Sequence, residues 1–140
     1  NLPTMWFFLF GGPGENEQTF AETFEFIDKY INPEDMVHMT AGLRIYPGTT
    51  LHKIAIKEGI IRSEDKLLQP AYYISPELGM EKLAAMIKEA AKKRHFCVPS
   101  YESIPPKNML IQAFELQSRM TEKEPMFRTL LRLRKTMMNF

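Results

Sequence analysis

Residues 7 to 15 read Phe-Phe-Leu-Phe-Gly-Gly-Pro-Gly-Glu, and a second segment reads Arg44-Ile45-Tyr46-Pro47-Gly48-Thr49. Each is an apolar run that breaks on glycine and proline. An apolar strand ending in glycines lets a ligand approach the backbone closely, and in parallel α/β proteins ligands sit at the carboxyl ends of strands. Arg44 lies between Leu43 and Ile45. A guanidinium at such a strand end can hold a carboxylate or phosphate through two parallel hydrogen bonds, or pair with an acid such as Glu15 on the same rim. Glu15 reads structurally, as an acceptor for backbone N–H groups of the turn or as an ordinary residue at a helix N-terminus. His38, His52, His95 and the single cysteine, Cys97, are dispersed without metal-ligand spacing. No nucleophile elbow, phosphate-binding loop or zinc-peptidase motif is present, which removes support for hydrolase and nucleotide-phosphate chemistry.

The elements that must position these residues follow from periodicity. Met5 to Phe10 is continuously apolar, as expected of a strand covered on both faces. Phe20, Phe24, Ile27 and Ile31 recur on one helical face, predicting a helix over about 17–31 that Asn32-Pro33 ends. Met36 to Ile45 is predicted to form one second strand. Thr49 or Thr50 caps a short helix to about Lys57, with Gly59 at its end. Two consecutive strand–helix units imply a parallel pair. Tyr72-Tyr73-Ile74 reads as a short extended stretch. Ser75 or Pro76 opens a helix over about 77–94, with Leu83, Ile87, Ala90 and Ala91 inward and Glu81, Lys82, Lys88 and Lys92 outward. His95 to Pro99 suits a third strand. Helices over about 108–120 and 124–138 follow, joined by Thr121-Glu122-Lys123.

The order and spacing of three motifs add a resemblance. Gly11, Pro13, Gly14 and Glu15 form G-x-P-G-E after an apolar strand; Arg44 to Thr49 form R-I-Y-P-G-T with Leu51 following; and Tyr73-Ile74-Ser75-Pro76-Glu77-Leu78 ends in S-P-E-L. From about Trp6 to Ser100 the chain resembles the later half of the radical S-adenosylmethionine (SAM) barrel, especially the iron–sulfur oxidoreductases that carry a cobalamin-binding domain. The resemblance implies an α/β fold, a partial (β/α) barrel fragment with parallel strands followed by C-terminal helices. Residues 1–100 would be the C-terminal portion of the barrel and 101–140 a helical extension packed on it. It implies that Leu9, Gly11 and Gly14 stand on one wall of a SAM pocket and Ile45 and Tyr46 near the second, with Arg44 and Glu15 at the substrate or rim position.

The chain departs from that family in one respect. The four-iron cluster is held by a C-x-x-x-C-x-x-C loop, and one cysteine cannot replace it. The resemblance therefore implies a C-terminal piece of a larger enzyme, inert alone, whose absent N-terminal half is its partner in the same polypeptide. SAM, the cluster and, in some members, cobalamin would belong to that parent. The apolar strand opens almost at residue 1, as expected of a cut boundary, and its uncovered edge leads us to expect the isolated chain to self-associate. The rival expectation is a stand-alone small α/β domain that binds a modest ligand or a protein without catalysis.

Composition bounds the remaining options. With 140 residues, 44% hydrophobic, the chain can bury an ordinary core. A net charge of +1 gives no electrostatic case for nucleic acid. The basic residues Arg128, Arg132, Arg134 and Lys135 are expected on solvated helix faces. The longest apolar run is too short to span a bilayer, and a lone cysteine fits a reducing compartment, so a cytoplasmic location is expected. The ten methionines are expected to fill the core, with Met137-Met138 as a docking face for absent protein.

Overall fold

The computed structural model describes residues 2–102, 105–122 and 124–138. The protein is α/β. The elements run in the order β1 (Met5–Phe10), α1 (Glu17–Tyr30), β2 (Met36–Ala41), β3 (Leu43–Arg44), α2 (Thr50–Lys57), β4 (Tyr72–Tyr73), α3 (Gly79–Lys93), β5 (Cys97–Pro99), α4 (Lys107–Arg119) and α5 (Met126–Met138). Strands β1, β2 and β5 form a small parallel sheet in that order, β3 and β4 form a two-stranded antiparallel ribbon, and the described residues form no closed barrel. The chain divides into two compact units built from separated segments, one of residues 1–8, 29–40 and 86–140, the other of residues 9–28 and 41–85.

In the first unit the parallel register sets Val37 opposite Cys97, His38 opposite Val98 and Met39 opposite Pro99. Val37, Met39 and Cys97 are fully buried. Pro105-Pro106 precedes α4, and Pro106 serves as its N-cap without a side-chain bond. Helix α4 packs on α5, and Gln117 ties the two by donating to the Glu124 carbonyl at 2.8 Å and to the Thr129 hydroxyl at 3.1 Å. Arg128 on α5 donates to Asp35 at 3.2 Å, and both side chains are almost nine-tenths buried. Asp35 also accepts from the Thr4 backbone N–H at 3.0 Å, so one carboxylate secures the chain before β1, the start of β2 and α5. The expectation of solvated basic residues is therefore corrected at Arg128. Lys123, placed in the predicted α4–α5 connection, lies outside the described residues.

In the second unit α1 starts at a side-chain cap that periodicity did not reveal. The Asn16 carboxamide oxygen accepts from the N–H groups of Gln18 and Thr19 at 2.9 and 3.1 Å, and the Thr19 hydroxyl accepts in return from the Asn16 N–H at 3.0 Å. Its apolar face closes on the end of β1, where the Phe10 ring lies 5.0 Å from Phe20 and 5.6 Å from Phe24. Such aromatic pairs add about 0.5–1.5 kcal/mol beyond the area they bury. A second small core joins Ile45, Ala55, Ile61 and Tyr73.

The predicted single strand over 36–45 is two. Gly42 sits between them at φ +82°, and a Cβ there would lie 3.3 Å from Ile74 and 3.4 Å from Tyr72. The chain turns at this residue, so Leu43 and Arg44 leave β2 and pair with Tyr73 and Tyr72 of the ribbon. The helix predicted over 77–94 starts two residues later, because Ser75 to Leu78 form a turn in which the Ser75 carbonyl accepts from Leu78 and Gly79 at 3.0 Å each.

Candidate functional site

The expected pocket and rim residues, Leu9, Gly11, Gly14, Glu15, Arg44, Ile45 and Tyr46, all belong to the second unit. At the carboxyl end of β1 the chain turns through Gly11, Gly12, Pro13 and Gly14, and Glu15 closes the turn on itself. One carboxylate oxygen of Glu15 accepts from the N–H of Gly11 at 2.5 Å and of Gly12 at 2.8 Å, while the Glu15 N–H donates to the Gly12 carbonyl at 3.0 Å. The Gly11 carbonyl accepts from Ser75 at 2.9 Å. The backbone groups at Gly11 thus have protein partners on both sides. Gly11 is buried, and a Cβ placed on it would lie 2.9 Å from Leu83 and 3.4 Å from Ile74. This glycine serves close packing. Gly14, three residues past it, is exposed, and a Cβ there would meet nothing within 4 Å.

The second strand end reaches this turn through backbone, since the Gly42 N–H donates to the Phe10 carbonyl at 2.7 Å. Beyond it the side chains diverge. Ile45 is 2% exposed inside the small core, so its side chain packs against protein. Tyr46 is 54% exposed and Leu9 61% exposed, which leaves both open to a ligand. The Arg44 guanidinium lies 5.0 Å from the centre of the Tyr46 ring in a cation–π contact. Among the described residues no ion pair joins Arg44 to Glu15 or to another acid. The loop after Tyr46 is held by Thr49, whose hydroxyl donates to the Tyr46 carbonyl at 2.8 Å and accepts from the His52 N–H at 3.2 Å, capping α2.

The structure therefore makes two local groupings of the expected site residues, Gly11 with Glu15 and Arg44 with Tyr46. What it leaves accessible is Leu9, Gly14, Arg44 and Tyr46: one aliphatic side chain, a bare turn and a cation laid over an aromatic ring. Of these, only Arg44 and Tyr46 are in contact, and that pair offers a cation beside an exposed aromatic ring, which suits a ligand carrying an anionic group. Among the described residues no three histidine, cysteine or acidic side chains converge on a metal position. Cys97, the lone cysteine, is fully buried in the other unit, so the residues present do not fit an iron–sulfur cluster.

One polar pair in this unit escaped sequence reasoning. The Tyr73 hydroxyl donates to Glu58 at 2.6 Å, fifteen residues away, from a fully buried ring. Burial pushes the phenol up to about 12, and the hydrogen bond and negative charge of Glu58 add to the effect. Nothing in the local pattern signals this pair beyond a tyrosine in an apolar stretch. Because the folded-state value lies above the unfolded value of about 10, the stabilisation is complete below pH 10 and is lost as pH rises toward 12. Titration of the phenolate absorbance should show one of the five tyrosines ionising well after the rest, or only as the protein unfolds. Ionisation of all five near pH 10 in the folded protein would refute the pairing.

In the first unit His95 is held below the usual histidine range, chiefly by burial and then by the charge of Lys135, against a backbone hydrogen bond to Pro33 that favours its charged form. No described helix is long and apolar enough to cross a membrane. No protein-family model matches the chain, and no curated protein or solved structure matches it either.

Proposed function

We propose that the chain is the C-terminal part of a radical SAM iron–sulfur oxidoreductase of the cobalamin-domain-associated group. In this reading it contributes late strands of a partial (β/α) barrel and part of the SAM pocket, and is inert by itself. The observation that carries the reading is where two of the motifs fall: G-x-P-G-E directly follows the carboxyl end of β1, and R-I-Y-P-G-T straddles the end of β3. Parallel pairing of β1, β2 and β5 is consistent with it. Leu9 and Tyr46 would face the adenine, with Gly14 beside them. Arg44 would take an anionic group at the rim, and Ile45 would act only by packing behind Tyr46. The cluster would be bound by the N-terminal half and would supply the electron that cleaves SAM reductively, with or without cobalamin in the parent.

A second reading, a stand-alone small α/β ligand-binding or protein-interaction domain without catalysis, draws on the turn itself. Glu15 already satisfies the N–H groups that a ligand would otherwise use. Calorimetry with SAM separates the two. The isolated chain should give no detectable binding heat, because half the pocket and the cluster anchor are missing. Micromolar binding would mean that the site is complete here and would favour the second reading. The genomic reading frame upstream of Asn1 provides the independent check, since the first reading requires a C-x-x-x-C-x-x-C loop in the same polypeptide.

A further inference from the structure

Strand β1 stands at one end of the sheet order β1–β2–β5, so among the described residues it pairs with β2 alone. Two hydrogen bonds fix which of its backbone groups face β2. The Thr4 carbonyl accepts from Met36 at 3.1 Å and the Phe10 carbonyl from Gly42 at 2.7 Å. In a parallel pair each residue turns its N–H and C=O to one side, and successive residues turn to opposite sides. Thr4, Trp6, Phe8 and Phe10 therefore face β2, while Met5, Phe7 and Leu9 present their backbone groups to the open edge. That edge has definite ends. Pro3, the next outward position on one side, has no N–H. Gly11, the next on the other, has its N–H bonded to Glu15 and its carbonyl to Ser75. Phe7 lies midway between the two. The strand carries no charge, proline or glycine, the usual devices against strand addition. Its side chains are open on both faces, with Phe7 68% and Leu9 61% exposed on one and Trp6 40% exposed on the other.

From these observations we infer that the β1 edge is the interface of a homodimer, in which β1 pairs antiparallel with β1 of a second copy about a two-fold axis at Phe7. The symmetry of the open stretch selects this occupant. The rotation sets Phe7 against Phe7 of the second copy and Met5 against Leu9, and each such pair exchanges both N–H···O bonds. It sets Pro3, which cannot donate, against Gly11, whose backbone groups are already bonded. On the other face Trp6 meets Phe8 of the second copy, an aromatic cross-strand pair. A two-fold contact closes on itself, so assembly stops at two chains. The inference does not rest on the radical SAM reading, since it uses only the strand and stands whether or not the chain binds SAM.

The test uses the full chain. Light scattering at tens of micromolar should give the mass of two chains. Phe7→Lys places two like charges on the axis and should weaken the dimer at least about tenfold, with the circular dichroism spectrum unchanged. Single cysteines read the register under oxidised glutathione. Met5→Cys should not cross-link to itself but should link to Leu9→Cys in a mixture, because directly paired Cα atoms lie about 5.5 Å apart, within the disulfide range of about 4.4–6.8 Å. The native chain, whose one cysteine is buried, is the blank. Should Phe7→Lys fail to fold, the native mass and the Met5–Leu9 cross-link still decide the matter. A monomer at these concentrations, leaving the edge to a strand of another protein or of a longer chain, would overturn the inference. So would an assembly larger than two, a dimer indifferent to Phe7→Lys, or Met5→Cys linking to itself as in a parallel pair.

Discussion

Asp35→Ala is expected to lower the unfolding free energy by about 3–5 kcal/mol, the cost of leaving one member of a buried ion pair without its partner. The pair is 12–13% exposed, so solvent screens it little. Removing the carboxylate leaves the Arg128 guanidinium in a poorly hydrated position and deprives the Thr4 N–H of its acceptor as well. A loss of this size is a large part of the total stability of an ordinary domain, roughly 5–15 kcal/mol. Urea unfolding monitored by circular dichroism measures it directly. The companion experiment is the double replacement Asp35→Leu with Arg128→Met, which removes both charges together. It should recover a substantial part of the loss, because an apolar pair of similar volume carries no uncompensated charge. An Asp35→Ala effect below about 1 kcal/mol, the worth of a surface pair, would show that the two groups are solvated in solution.

Gly11→Ala should be nearly as damaging, at about 2–4 kcal/mol, for two reasons that add. At φ +93° an L side chain is strained by about 1–2 kcal/mol. The new methyl would also stand 2.9 Å from the Cδ2 of Leu83, which is fully buried and has little room to yield, and overpacking of this kind costs about 1–3 kcal/mol. Gly14→Ala is the internal control, since its φ of +77° carries the strain while the space around it is open. Urea melts of the two variants should therefore differ by the packing contribution alone. Combining Gly11→Ala with Leu83→Val should cost less than the sum of the two single changes, because the shorter side chain vacates the contested position. Equal destabilisation by Gly11→Ala and Gly14→Ala would remove Leu83 from the explanation.

Features written in local sequence were legible before the structure. The aromatic face of α1, the Thr49 cap of α2 and the Leu83–Ile87–Ala90–Ala91 face of α3 are patterns that repeat within a few residues, and each falls where periodicity and capping placed it. The break in β2 was not legible, because Gly42 lies in a run whose alternation continues through it. Only the approach of Ile74 and Tyr72 reveals that no side chain fits there. The Asp35–Arg128 pair joins residues 93 apart, and no helical or strand period connects them. For the candidate site the residue types were legible but not their accessibility. Ile45 and Tyr46 are neighbours in sequence, and the first is packed in a core while the second is open to solvent.

The parallel register of β2 with β5 also sets an order of events during synthesis. Val37 finds its partner only once Cys97 has been made, and the segment between them supplies most of the second unit, which is complete at residue 85. A nascent chain can thus close the Phe10–Phe20–Phe24 cluster and the β3–β4 ribbon while β2 still lacks one neighbour. Strand pairing over so long a loop is slow, because closure entropy is lost before the contacts repay it. Asp35 waits longer still, until α5 emerges with Arg128. The ion pair that should matter most to the finished protein is therefore among the last contacts the growing chain can make, and it cannot guide the steps before it.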